Sequence, residues 1–134
     1  MTPERNLDTL IARMAPVLDP TPYLFVAIAD DAAIDWAALA PVAMVREAGT
    51  LSLIVAREAA AGLTGTFPCR RITLTVNSAL DAVGFIAAVA GALAKAGIST
   101  NPVAGFHHDH LFVPEAESAR ALEVLQRLAA TARG

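Results

Sequence analysis

Near the start of the chain Leu7, Leu10, Ile11, Met14 and Leu18 recur at helical spacing, behind a Thr2 cap and Pro3 at the first helical position. The pattern predicts a helix with one buried face, stopped by DPTP at 19–22. From Tyr23 the run YLFVAIA is continuously apolar, as in a strand covered on both faces. A polar-to-Ala loop with Trp36 follows, and PVAMVREAGTLSLIVA then predicts two strands joined through Glu47-Ala48-Gly49-Thr50, where Gly49 supplies the positive φ of a tight turn. AREAAAGL predicts a short helix ended by Gly62. After Pro68 the run CRRITLTV alternates, with Ile72, Leu74 and Val76 on a buried face and Arg71, Thr73 and Thr75 on a polar one.

The next segment, NSALDAVGFIAAVAGALAKAGIST, carries the clearest helix pattern. Ser78 and Asp81 make S-x-x-D, a capping box at a helix start. Val83, Ile86, Ala90 and Leu93 form its expected apolar stripe, beside a strip of tiny side chains at Gly84, Ala88 and Gly91. Two glycines inside a helix cost about 1 kcal/mol each against Ala, so the strip predicts a close neighbour. Gly97 ends the helix, with Lys95 on the favourable side of its dipole. A strand over Val103–Phe106, a turn at His108-Asp109 and the strand HLFV then lead to Pro114, which opens a last helix with Ala121, Leu122, Leu125 and Leu128 inward. Glu115 and Glu117 sit at its start, and Arg127 lies four residues after Glu123.

Composition narrows the classes. The chain has 134 residues, 55% apolar and 17% charged, enough for a compact domain or two small modules sharing a core. A net charge of −3 leaves no basic stripe for a phosphate backbone, so nucleic acid is not an expected partner. No apolar run approaches the roughly 20 residues of a membrane span, and MTPERNLD lacks a signal peptide's layout, which predicts a soluble, cytoplasmic protein without a membrane partner. The single Cys69 has no CxxC partner and reads as a small strand residue.

From Arg71 onward the order is strand, capped helix with an internal glycine, strand, hairpin, strand, helix. ITLTVNSALDAVGFIAAVAGALAKAGIS and NPVAGFHHDHLFVP resemble, in that order, the first strand, ligand-facing turn and first helix, and the next two strands, of the ACT domain. That domain is a small ferredoxin-like regulatory module that binds amino acids. The whole chain is similar to short bacterial two-ACT-unit proteins of poorly defined function. It also resembles the paired ACT domains of aspartate kinases and of cytosolic arginine sensors. The resemblance implies an α+β, ferredoxin-like ACT fold: two interlaced ACT-like units with an antiparallel sheet and helices on one face. A degenerate N-terminal unit would span 1–68 and an ACT domain 69–134, with the strand 23–29 completing the latter's sheet. It further implies a non-enzymatic sensor binding an amino acid or similar metabolite at an ACT–ACT interface, within a homo-oligomer such as a dimer.

The turn Asn77-Ser78-Ala79-Leu80 at a helix start suits a ligand carboxylate, because free N–H groups and the helix dipole attract an anion. Gly84 would allow close approach, and Asp81 or Asn101 could meet an ammonium group. The candidate ligand residues are therefore Asn77, Ser78, Leu80, Asp81, Val83, Gly84 and Asn101. In the alternative reading Ser78 and Asp81 only cap the helix, Gly84 only packs, and the chain is an oligomerisation or partner-binding module. All three histidines, His107, His108 and His110, lie in AGFHHDHLFVP, so a third reading is a small metal-dependent enzyme. Two imidazoles on one strand face with Asp109 make a thin ligand set, and a turn at His108-Asp109 would break their alignment. No nucleophile motif or phosphate loop accompanies them, so no catalytic residue, metal or cofactor is expected. Arg70 and Arg71 read as strand-edge or solvated positions, and Trp36 as a packing anchor.

Overall fold

In a computed structural model, which describes residues 2–134, the element order is α1 (Leu7–Arg13), β1 (Pro16–Ala29), α2 (Trp36–Leu39), β2 (Ala43–Glu47), β3 (Thr50–Ala56), β4 (Gly65–Leu74), α3 (Phe85–Lys95), β5 (Asn101–Ala104), β6 (Asp109–Pro114) and α4 (Ser118–Arg133). Strand order is β2-β3-β1-β4-β6-β5, with the β1–β3, β2–β3 and β5–β6 pairs antiparallel. The expected α+β class and antiparallel sheet are therefore those of the fold. The chain divides into two compact units, one of residues 2–20 with 70–134, the other of 21–69. Strands β1 and β4 each contribute residues to both.

In the first unit α1, α3 and α4 cover the apolar face of β4 and β6. Leu10 and Met14 from α1 and its C-cap, Ile72 and Leu74 from β4, and Leu111 and Val113 from β6 meet Val89, Leu93 and Leu125 from the helices. The α4 expectation holds at Ala121 and Leu125, which are buried, and Arg127 pairs with Glu123 at 3.7 Å. At the end of α3, Gly97 N–H donates to Ala94 O and Ile98 N–H to Leu93 O, the paired bonds of a glycine-terminated helix, with Ile98 buried behind them.

The second unit packs Val26, Leu51, Leu53 and Val55 from one face of its strands against Leu39 of α2 and Ala60. The expected hairpin is present: Glu47 pairs with Thr50, and Gly49 at φ 75° turns the corner with Ala48.

Several local expectations are corrected. Asn6, not Thr2, caps α1, its side-chain oxygen accepting from Thr9 N–H at 3.0 Å. The helix ends at Arg13 because Ala15 adopts φ 38° just before Pro16, so Leu18 packs on the core from β1 instead. DPTP does not break the chain: a proline loses only its donor, and Pro22 O still accepts from Arg57 N–H at 2.9 Å within a 14-residue strand. AREAAAGL forms hydrogen-bonded turns, such as Ala59 N–H to Ala56 O, rather than a helix. Strand β4 begins at Gly65, ahead of Pro68, and ends at Leu74.

Trp36, expected as a packing anchor, is 44% exposed at the start of α2. Arg71 is not merely solvated, since its guanidinium meets the Asp19 carboxylate at 3.0 Å, both half-buried. The largest shift concerns α3, which starts at Phe85 with Gly84 as N-cap, six residues later than S-x-x-D implies. Its buried stripe is consequently Phe85, Val89 and Leu93, and Val83 lies outside the helix in solvent. Within the small-residue strip nothing approaches Gly91, and of its two glycines only Gly84 has a neighbour, the Leu7 side chain.

Candidate functional site

Residues 75–84 run from β4 to α3 without regular structure, and tertiary bonds decide their path. Thr75 N–H donates to Met14 O at 2.7 Å, and Ala79 N–H donates to Glu4 O at 2.9 Å. Ser78 was expected to cap a helix, yet its hydroxyl donates to Asp109 Oδ2 at 2.7 Å and is nearly buried. Asp81, its supposed capping partner, is exposed and meets Arg5 Nε at 3.1 Å. A capping box fails here because both side chains have partners more than thirty residues away in sequence.

Gly84 takes φ 91°, which L side chains rarely adopt, and turns the chain into α3. As N-cap it offers no side-chain acceptor, so the first-turn N–H groups of α3 lack the usual side-chain cap. The same turn, with Phe85, Ile86 and Ala87, borders a cavity of about 180 Å³ whose wall also includes Ser78, Leu80, Gly84, Ala104 and Asp109. Asp109 is the buried acidic side chain of this wall, 7% exposed, and none of the ion pairs among the described residues involves it. A carboxylate held in a small hollow without a cation of its own favours a positively charged occupant.

Of the seven expected ligand residues, Ser78, Leu80 and Gly84 line this cavity. Asn77 sits half-buried behind it, its carbonyl accepting from Glu4 N–H at 2.8 Å. Asp81 and Val83 point to solvent, and Asn101 is exposed on β5 opposite Phe112. Asp109, weighed only as a metal ligand, is missing from the expected amino-acid site because the expected turn falls on it. The β5–β6 loop is instead Gly105–His108, with Ala104 paired to Asp109. Period-two alternation carries the missed signal: Asp109, Leu111 and Val113 share one buried face.

The histidines divide. His107 and His108 occupy the loop, their rings 6.4 Å apart, with Phe106 edge-on to His107 at 5.0 Å. His110 lies on β6 with Nδ1 2.9 Å from Thr73 Oγ1, and burial, aided by Arg71 and His108, holds its pKa below the ordinary 6.5. Among the described residues no three His, Cys, Asp or Glu converge in a metal-binding group. Two larger hollows in the second unit offer different chemistry. The one of about 360 Å³ is lined by Ile28, Ile34, Leu39 and Leu63, and its Asp35 carboxylate accepts the Ala38 N–H of α2. The one of about 320 Å³ has Phe25, Ser52, Thr64 and Thr66 in its lining.

Two models described as ACT domain match the sequence, over residues 2–70 and 66–127. A Vibrio cholerae protein of unknown function, described as a possible transport protein, is 40% identical with a TM-score of 0.81, covering 92% of this chain and 95% of that one. An Agrobacterium tumefaciens protein is 20% identical with a TM-score of 0.69, over 81% and 84% of the two chains. The ligand-free regulatory subunit of aspartate kinase from Thermus thermophilus is 12% identical with a TM-score of 0.63, over 85% and 97%. No curated protein matches.

Proposed function

The chain belongs to the ACT-domain family, and from that premise we propose that it is a non-enzymatic sensor of an amino acid or similar small metabolite. The observation that carries the reading is the cavity at the start of α3, lined by the buried Asp109 and by the first turn of a helix that has no side-chain cap. Asp109 would meet the ligand ammonium and the first turn of α3 its carboxylate, matching the two opposite charges of an amino acid. The cavity's size, below the roughly 300 Å³ of drug-sized sites, favours a small metabolite. The regulatory role of aspartate kinase subunits with this fold supports the same direction. Leu80 and Val83, 71% and 85% exposed in the segment that forms the cavity, would be covered if a second subunit closes an ACT–ACT interface there.

A thermal-shift panel of the twenty amino acids, each paired with its hydroxy-acid analogue, tests this. A ligand that binds only the folded protein raises Tm by mass action, so at least one amino acid should do so while its analogue does not. A flat response to all twenty at millimolar concentration would sink the reading. The second reading, an assembly module without ligand, draws on the edge strand β2, where Met44 and Val45 are 49% and 60% exposed. It predicts a concentration-dependent oligomer that a charge at Val45 disperses.

A further inference from the structure

The segment between β4 and α3 does not hold itself. Its internal backbone bond, Ala82 N–H to Ala79 O at 3.0 Å, closes one turn. The remaining restraint on its middle comes largely from the first residues of the chain. Glu4 forms a parallel bridge with Ser78, donating its N–H to Asn77 O at 2.8 Å and accepting from Ala79 N–H at 2.9 Å. Arg5 Nε meets Asp81 Oδ1 at 3.1 Å, and the Leu7 side chain lies 3.4 Å from where a Cβ on Gly84 would stand. The Glu4 carboxylate turns back on its own strand, accepting from Arg5 N–H at 3.0 Å and Asn6 N–H at 3.1 Å, while Asn6 caps α1. Residues 4–7 are thus fixed to α1 at one end and reach the cavity-forming segment at Asn77, Ala79, Asp81 and Gly84.

We propose that residues 4–7 act as a strap that holds 77–84 in the conformation that forms the cavity, making Glu4 and Arg5 positioning residues for the site. Ser78 is the link: its peptide neighbours bond the strap while its hydroxyl bonds Asp109 on the cavity wall. Release of the strap frees Ser78, and with it the order of the carboxylate it holds. A ligand that fits the formed cavity therefore favours the docked strap, and reciprocally a docked strap favours the ligand. The ligand half of this coupling rests on the amino-acid reading above, whereas the strap's hold on the segment is measurable without ligand.

Hydrogen exchange on the full chain tests it. Glu4→Pro removes the donor to Asn77 O, and exchange at 77–84 should rise about tenfold while amides of α4 and β6 keep wild-type rates. Arg5→Asp should raise it by about twofold, because exposed ion pairs contribute little, and Asp81→Arg in the same chain should restore it. A thermal melt confirms that each variant is folded, and the charge-swap pair stands if Glu4→Pro is not. Wild-type exchange at 77–84 in the folded variants would overturn the strap whatever the ligand panel shows. Faster exchange together with a silent ligand panel would uphold the strap and remove the amino-acid reading alone.

Discussion

Each half of the chain matches an ACT domain, yet the two compact units cover their strands differently. In the first, α1, α3 and α4 close one face, and Met14, Leu74, Val89, Leu93, Val113 and Leu125 are wholly buried. The second has the four-residue α2 and a run of turns over a smaller core, beside a hollow of about 360 Å³. A helix of three turns does two things that four residues cannot. It excludes water from a sheet face, and its N-terminus presents donors aligned with a dipole. The buried carboxylate of Asp109 stands near such an N-terminus, whereas in the second unit Asp35 is spent capping its own short helix.

Core truncation probes that difference most strongly. Leu93→Ala should cost roughly 2–5 kcal/mol in denaturant unfolding, and Leu39→Ala, which lines a hollow, less than about 2 kcal/mol. Equal losses would mean that the second core is closed as tightly as the first. Asp109→Asn keeps the shape and removes the charge. Calorimetric titration should then show amino-acid affinity falling about thirtyfold, in the range of a lost charged hydrogen bond, while an unchanged affinity would move the ammonium site elsewhere.

Smaller effects of opposite sign come from two glycines with open space around them. Gly49→Ala in the second unit forces an L side chain to φ 75° and should destabilise by about 1 kcal/mol, whereas Gly91→Ala inside α3 should stabilise by roughly 0.5–1 kcal/mol. Melting curves that move the same way for both would contradict those backbone assignments.

The least effect is a pH dependence. Folding lowers the His110 pKa, chiefly by burial, so the unfolded chain binds its proton more readily. The stability linked to neutral His110 is complete above the unfolded value of about 6.5 and is lost as pH falls through the lower folded value. Arg71 and His108 add to the lowering while Asp109 opposes it. Between pH 7 and 5 the fall in Tm should be shallower in His110→Gln than in the wild type, and identical slopes would place the acid sensitivity elsewhere.

Periodicity alone was enough for the first hairpin, the inward residues of α4, the buried face of β4 and the end of α3 at Gly97. Each depends on bonds or contacts within a few residues, or on one face being apolar. The candidate site was half legible for the same reason. Ser78, Leu80 and Gly84 were found because their segment looked like a helix start, and it is one, displaced to Gly84. Asp109 was hidden by its place between histidines in a stretch that reads as a turn, although its alternation with Leu111 and Val113 marked it as inward.

The α+β class and the amphipathic faces were thus settled by the order of residues, because the hydrophobic effect acts on patterns that repeat locally, while the family came from resemblance. Which polar groups meet was decided only in the folded chain. Ser78 could bond a local N–H, as S-x-x-D suggests, or Asp109 thirty-one residues later, and Asp81 could cap a helix or pair with Arg5. Local and distant hydrogen bonds are similar in strength, so packing chose between them: the Glu4 bridge and the buried β6 strand bring the distant partners within reach at no further cost in chain entropy.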